Sequence, residues 1–430
     1  LAVIRTDARR RAACAIVALL LGSHWARGAA ADDPSAGDGG VSAFYRWPGT
    51  LPPRPGILLR QEPLPAAHMI AHAAFGARIL YTASAGAGPQ RTIPVSGEVF
   101  LPAGTPPKGG WPVLAWAHGT TGIADVCAPS WRGQTKRDSA YLAAWLAHGF
   151  AIVATDYAGL GTQGVHPYLL WRSEGLAILD ALRAARATAG FHLANRIVLA
   201  GQSQGAGAAL GAAWLHPRYA PALGVRAAVL TGLVATIASG RPDEKGTAYT
   251  DPFDMDPSFA MLRFAGTDRA SHPDMDPQTY LTPQGKMLLH VAQTACLHDM
   301  FAASAKAGIT KGGALFSRSI AAVDSDMESH FDLPDGHITM PVFVGTGLAD
   351  GEAGTQGQYL AVASMCAAGS KVAWHTYPGL THNGTVNQSL ADSLPFAARA
   401  LAGEPIASNC ASLVRPGKVE AAKRGVEFND

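Results

Sequence analysis

Ser203 stands in Gly201-Gln202-Ser203-Gln204-Gly205, directly after the apolar run Arg196-Ile197-Val198-Leu199-Ala200. A serine hydroxyl is a poor nucleophile near neutral pH and needs a histidine base, held in turn by an acid. Glycines two residues to either side suit a strand-to-helix turn so tight that the serine takes strained backbone angles. The small residues at 206–215 read as a helix packed close beneath a sheet. The partners are then expected downstream, acid first and histidine second, at the ends of later strands. Residues 341–344 read as a strand entering the Gly-rich loop 345–351, and Asp350 in that loop is the candidate acid, ahead of Glu352, which begins the next helix. Residues 372–377 read as the last strand, and His382 in the following loop is the candidate base. His375 lies inside that strand, where a structural role is expected, and His330 and His337 read as surface or packing residues.

A developing oxyanion needs N–H donors placed in advance, and losing one costs about 3 kcal/mol of transition-state stabilisation. The N–H of Gln204, next after the serine, is one candidate. The glycine-flanked turn Trp116-Ala117-His118-Gly119-Thr120-Thr121-Gly122 supplies the other, from Thr120 or Thr121, with His118 shaping the loop.

These residues need a scaffold, and the hydrophobic pattern indicates one. Residues 77–83, 95–101, 113–117, 151–155, 197–200, 227–234, 340–344 and 372–377 read as strands. Residues 138–148, 173–188, 205–215, 354–368 and 386–401 have helical length and periodicity. Continuous apolar strands between helices imply an α/β fold with a mostly parallel central sheet and helices on both faces. The expected division is an extended Pro-rich arm at 32–65, a first core part at 66–234, an inserted helical cap at 235–336 and a second core part at 337–430. Within the cap, 283–297 and 320–330 read as helices. Asp251, Asp254 and Asp256 lack the glycine and closing glutamate of a calcium loop, so turns and helix caps are their expected use.

With 430 residues, 48% hydrophobic and 15% charged, the chain can bury a large core. Residues 1–31 differ from the rest: Arg5, Arg9, Arg10 and Arg11 precede an apolar run at 12–21, and Ala29-Ala30-Ala31 offers a cleavage site, as in a secretory signal peptide. Five basic residues and one acidic residue lie in that segment, so the remainder tips slightly acidic from the whole chain's +2 and carries no nucleic-acid footprint. Beyond it remain Cys127, Cys296, Cys366 and Cys410. An even count in an exported chain favours two disulfides. Of the three pairings, Cys127 with Cys296 and Cys366 with Cys410 is favoured, the latter because both flank the C-terminal segment; irregular spacing argues against zinc.

Taken together, several motifs in order resemble the secretory lipases of the α/β-hydrolase superfamily, a family with fungal members of the Candida antarctica lipase A type and bacterial members. They are His118-Gly119-Thr120 with Cys127-Ala128-Pro129-Ser130, Thr155 to Gly161 leading to Gly164-Val165-His166-Pro167-Tyr168-Leu169, the Gly201 to Gly205 turn, Gly345 to Asp350, and Thr381-His382. The resemblance implies a Ser203, Asp350, His382 triad under a helical cap, in a disulfide-stabilised secreted enzyme that hydrolyses carboxylic esters without metal or cofactor. It also implies that the 157–161 loop, with Tyr157, Gly159 and Leu160, faces the substrate cleft. Gln204 departs from the small residues common after the nucleophile, and its side chain is expected to narrow or polarise the acyl pocket. The expected partners are a small-molecule, lipid or polymer ester and a transient lipid interface, with the chain acting as a monomer outside the cell or in the periplasm. The rival expectations are a peptidase built on the same triad and a catalytically silent binding protein of the same fold.

Overall fold

A computed structural model describes residues 40–86, 91–238, 253–320, 323 and 331–430. The expected signal segment, Asp251, His330 and most of the 320–330 helix lie outside them.

Among the described residues, nine strands form one sheet in the order β1-β2-β3-β5-β4-β6-β7-β10-β11. They are β1 (Leu58–Pro63), β2 (Ala73–Ser84), β3 (Thr92–Pro102), β4 (Trp111–Ala117), β5 (Ala151–Thr155), β6 (Leu193–Gln202), β7 (Val225–Thr231), β10 (Val342–Gly347) and β11 (Val372–Tyr377), while β8 (Thr236–Ile237) and β9 (Asp332–Leu333) pair separately. From β5 to β11 every neighbouring pair is parallel. The first three strands run antiparallel, with β3 joining β5. The edge strand β1 lies inside the Pro-rich arm, where Pro52, Pro53 and Pro55 hid it in the sequence.

The apolar strands are continuous because both their faces are buried. Val113, Ala115 and Ala117 of β4 face one core and Leu114 and Trp116 the other. Ile197 and Leu199 against Val198 and Ala200 in β6, and Ala228 and Leu230 against Ala227 and Val229 in β7, repeat that period of two. Helices α1 (Lys136–Ala147) and α8 (Leu390–Ala402) cover one face; α2 (Trp171–Ala187), α3 (Gln204–Tyr219) and α7 (Thr355–Ala367) cover the other.

Between β7 and β10 the chain leaves the sheet. Helices α4 (Pro257–Leu262), α5 (Pro283–Thr294) and α6 (Leu297–Lys306) share their own apolar cluster, including Met261, Phe264, Leu288, Met300 and Phe316. Ile123 and Tyr168 of the main body enter the same cluster. Asp256 caps α4 by accepting the Ser258 N–H at 2.8 Å, and Asp254 pairs with Lys311 at 3.0 Å. Disulfides join Cys127 to Cys296 and Cys366 to Cys410, the favoured pairing. No helix among the described residues is long and apolar enough to cross a membrane.

Candidate active site

Strand β6 ends at Gln202, α3 begins at Gln204, and Ser203 makes the whole turn with φ 59° and ψ −123°. Such a conformation costs a side-chain-bearing residue of order 1–3 kcal/mol and persists only where its surroundings impose it. The flanking glycines show what imposes it. A Cβ on Gly201 would stand 2.0 Å from the Gly205 carbonyl oxygen, and one on Gly205 would stand 1.9 Å from the carbonyl oxygen of Ala117. The helix start is thus pressed against the end of β4, beside the 118–122 turn. The Ser203 N–H donates to the Thr231 carbonyl at 3.0 Å, and the serine is half-buried.

Asp350 follows β10 and is fully buried. Its Oδ2 accepts from Nδ1 of His382 at 2.9 Å and from the Gln358 amide at 2.8 Å, while Oδ1 accepts the N–H groups of Glu352 and Ala353 at 3.0 and 2.9 Å. Burial pushes this carboxyl upward, but the His382 hydrogen bond and charge, with the Ala353 and Gln358 donors, outweigh burial and hold it below its ordinary value. Since the carboxylate can only accept, Nδ1 of His382 carries the hydrogen and Nε2 is left as the basic nitrogen. The imidazole lies on Gly232, where a Cβ would stand 2.6 Å from its Cε1. Gly232 directly follows Thr231, the residue holding the Ser203 N–H, so the end of β7 touches the serine's main chain and the histidine's ring.

On the other side of Ser203, the N–H of Gln204 belongs to the first turn of α3, which has no intrahelical acceptor for it. The 118–122 turn is braced throughout. Tyr157 donates to the His118 carbonyl at 2.8 Å, the Thr120 hydroxyl bonds the Tyr168 hydroxyl at 3.0 Å, and the Thr121 carbonyl accepts the N–H of Leu297 at 2.9 Å. That last bond starts α6, one residue after Cys296, so the disulfide clips this helix to the turn. Of the residues expected to face a cleft, Tyr157 and Leu160 are fully buried. Tyr157 is flanked by the His118 and His166 rings at 4.4 and 5.8 Å, and Leu160 packs against the Cys127–Cys296 bridge. Gly159 lies against the backbone of Val165 and His166. Tyr157 thus holds the turn directly, and Leu160 packs beside the disulfide that follows it.

Gln204 also differs from expectation. Its amide nitrogen reaches Glu174 Oε1 at 2.6 Å and His166 Nε2 at 2.9 Å in the interior, so it is not free to line an acyl pocket. His375 sits in β11 opposite Gly345, against Phe343, and His337 is on the surface, as expected. The sequence reading missed several residues. Gln358 holds Asp350 and is itself held by Thr346 at 2.9 Å. Arg137 bridges Gln202 and Asn383, the neighbours of the serine and the histidine. Asn429, near the C-terminus, accepts the Thr381 N–H at 2.7 Å and donates to the Gly379 carbonyl at 3.0 Å, clamping the loop that carries His382. Neither residue type nor spacing singles out any of the three in the sequence.

The profile of the family described as secretory lipase matches residues 129–382, more than half of the chain. Among curated proteins, Lipase A of Arthroderma benhamiae is 33% identical over 129 residues, 26% of this chain and 27% of that protein. Lipase A of Moesziomyces aphidis is 28% identical over 195 residues, 41% and 38% of the two. The matched stretches thus span well under half of either curated relative. Among solved structures, Candida antarctica lipase A in its closed state superposes with a TM-score of 0.66 at 18% identity, covering 92% of both chains. The rice cell wall degrading esterase LipA from Xanthomonas oryzae gives 0.59 at 18%, covering 81% of this chain and 97% of that one. At such identities the likeness establishes the α/β-hydrolase fold. With more than half of its length, from the residues after Cys127 through His382, matching the family profile, the chain belongs to the secretory lipases.

Proposed function

We propose that this protein is an exported serine hydrolase of carboxylic esters. His382 Nε2 takes the Ser203 proton as Oγ attacks the ester carbonyl, and Asp350 stabilises the imidazolium. The tetrahedral oxyanion is received by the N–H of Gln204 and by the Thr120–Thr121 turn. His382 then protonates the departing alcohol; water, deprotonated by His382, attacks the acyl carbonyl, and His382 returns that proton to Ser203 Oγ as the acid leaves. The observation that carries this reading is the buried Asp350–His382 hydrogen bond, seated on Gly232 beside a serine forced to positive φ. The relatives' printed names support ester substrates, lipid or cell-wall. Tyr157 serves by holding the oxyanion turn, with Leu160 beside the disulfide that follows it. Two disulfides and the basic-then-apolar leader support export.

The test is a p-nitrophenyl ester series from acetate to palmitate on the protein and on Ser203→Ala. We expect turnover with a chain-length optimum, and loss in the variant by a factor of roughly a million. Absence of ester turnover, or a Ser203→Ala protein that still turns over, overturns the reading.

A further inference from the structure

Glu174 is a buried acid that the proposed chemistry does not use. It lies in the first turn of α2 and is 1% exposed. Its Oε1 accepts two hydrogen bonds, from the side-chain amide of Gln204 at 2.6 Å and from the main-chain N–H of Leu169 at 3.1 Å. Each leads to one half of the proposed oxyanion site.

The first runs through Gln204, whose own N–H is a proposed donor. The amide's second hydrogen goes to Nε2 of His166, whose Nδ1 donates to the Ala158 carbonyl at 2.9 Å. Burial pushes His166 down to about 4, so it stays neutral and accepts. Both amide hydrogens are therefore engaged, and the first residue of α3 is fixed. The second runs through Leu169, which holds φ at 62°. The preceding residue, Tyr168, bonds the Thr120 hydroxyl of the other half-site at 3.0 Å. Two hydrogen bonds to one oxygen thus reach both sides of the place where an oxyanion would sit.

We propose that Glu174 is a positioning residue for ester hydrolysis, aligning the Gln204 N–H directly and the Thr120–Thr121 turn through Leu169 and Tyr168. The proposal rests on Ser203 being the nucleophile. It separates Glu174 from an ordinary buried polar residue, because misaligned donors weaken transition-state binding more than ground-state binding. The two hydrogen bonds need only an acceptor oxygen, so an amide in place of the carboxyl suffices.

The test compares kcat and KM for p-nitrophenyl butyrate, thermal midpoints and fluorophosphonate labelling in the protein and in Glu174→Leu, Glu174→Gln, Gln204→Leu and the Glu174→Leu/Gln204→Leu pair. We expect kcat to fall roughly 10–100-fold in Glu174→Leu and in Gln204→Leu, with KM within about threefold. Glu174→Gln should recover kcat to within about threefold of the unaltered protein, and the double variant should be no slower than the slower single one. Normal kcat in Glu174→Leu with only a lowered midpoint overturns the proposal, as does Glu174→Gln failing as badly as Glu174→Leu. Should Glu174→Leu not fold, normal kcat in Gln204→Leu overturns it. Failure of the underlying reading shows separately, as an unaltered protein that takes no label or a Ser203→Ala protein that still turns over, and it removes this proposal too.

Discussion

Gly232 carries no chemistry, yet the His382 imidazole rests where its side chain would be. A Cβ there would stand 2.6 Å from Cε1 and 2.7 Å from Nδ1, and the backbone sits at φ 56°, which L side chains rarely adopt. Gly232→Ala must displace the ring, lengthen the bond to Asp350 or strain the main chain. A misplacement of about 1 Å costs on the order of a hundredfold in rate. The expected result is kcat for p-nitrophenyl butyrate down by about that factor with KM little changed, measured beside the thermal midpoint. Wild-type kcat would show that the ring has room to spare. At this scale the sequence was informative about Ser203, because an elbow writes its steric demands into five consecutive residues. It was silent about Gly232, whose constraint comes from an atom 150 positions away.

Among the elements, β3 and α2 each carry an acid the sheet buries. Glu98 of β3 is pushed up to about 8 by burial and by the Asp156 charge, against the opposing Gln134 hydrogen bond; Glu174 of α2 is pushed to about 8 by burial. In the unfolded chain both release their protons near 4.5. Between about pH 4.5 and 8 the folded protein therefore holds protons the unfolded chain has lost. The stabilisation is complete below 4.5 and declines as pH rises toward 8. Replacing either acid with glutamine removes that decline. The thermal midpoint of Glu98→Gln or Glu174→Gln, relative to the unaltered protein, should climb by several degrees between pH 5 and pH 8. A constant offset across that range would mean the acids are ionised in the folded state.

For the whole molecule, the two disulfides bridge different kinds of contact. Cys127–Cys296 spans 169 residues and fixes α6 beside the Thr121 carbonyl; Cys366–Cys410 spans 44 and ties α7 to the C-terminal segment. Chain-entropy reasoning gives about 5 and about 4 kcal/mol for the two loops. Serine pairs at either bridge should therefore lower the denaturation midpoint by similar amounts. Only the Cys127/Cys296 pair should also lower kcat, because it alone releases the turn proposed to receive the oxyanion. Equal kcat in both variants would mean that the Leu297–Thr121 bond holds the turn unaided.

The sequence by itself determined the α/β order and placed the serine, aspartate and histidine at strand ends, because each of these is a local demand. Strands buried on both faces must be apolar throughout, and tight turns must have small residues. Tertiary structure alone decided that β1 closes one edge of the sheet, that Gln204 turns inward to Glu174 and His166, that Tyr157 and Leu160 are buried, with Tyr157 holding the His118 carbonyl, and that Asn429 clamps the histidine loop. Each is a contact between residues far apart in the chain. The free energy of such a contact depends on which buried donor finds which acceptor, and that pairing exists only once the sheet has assembled.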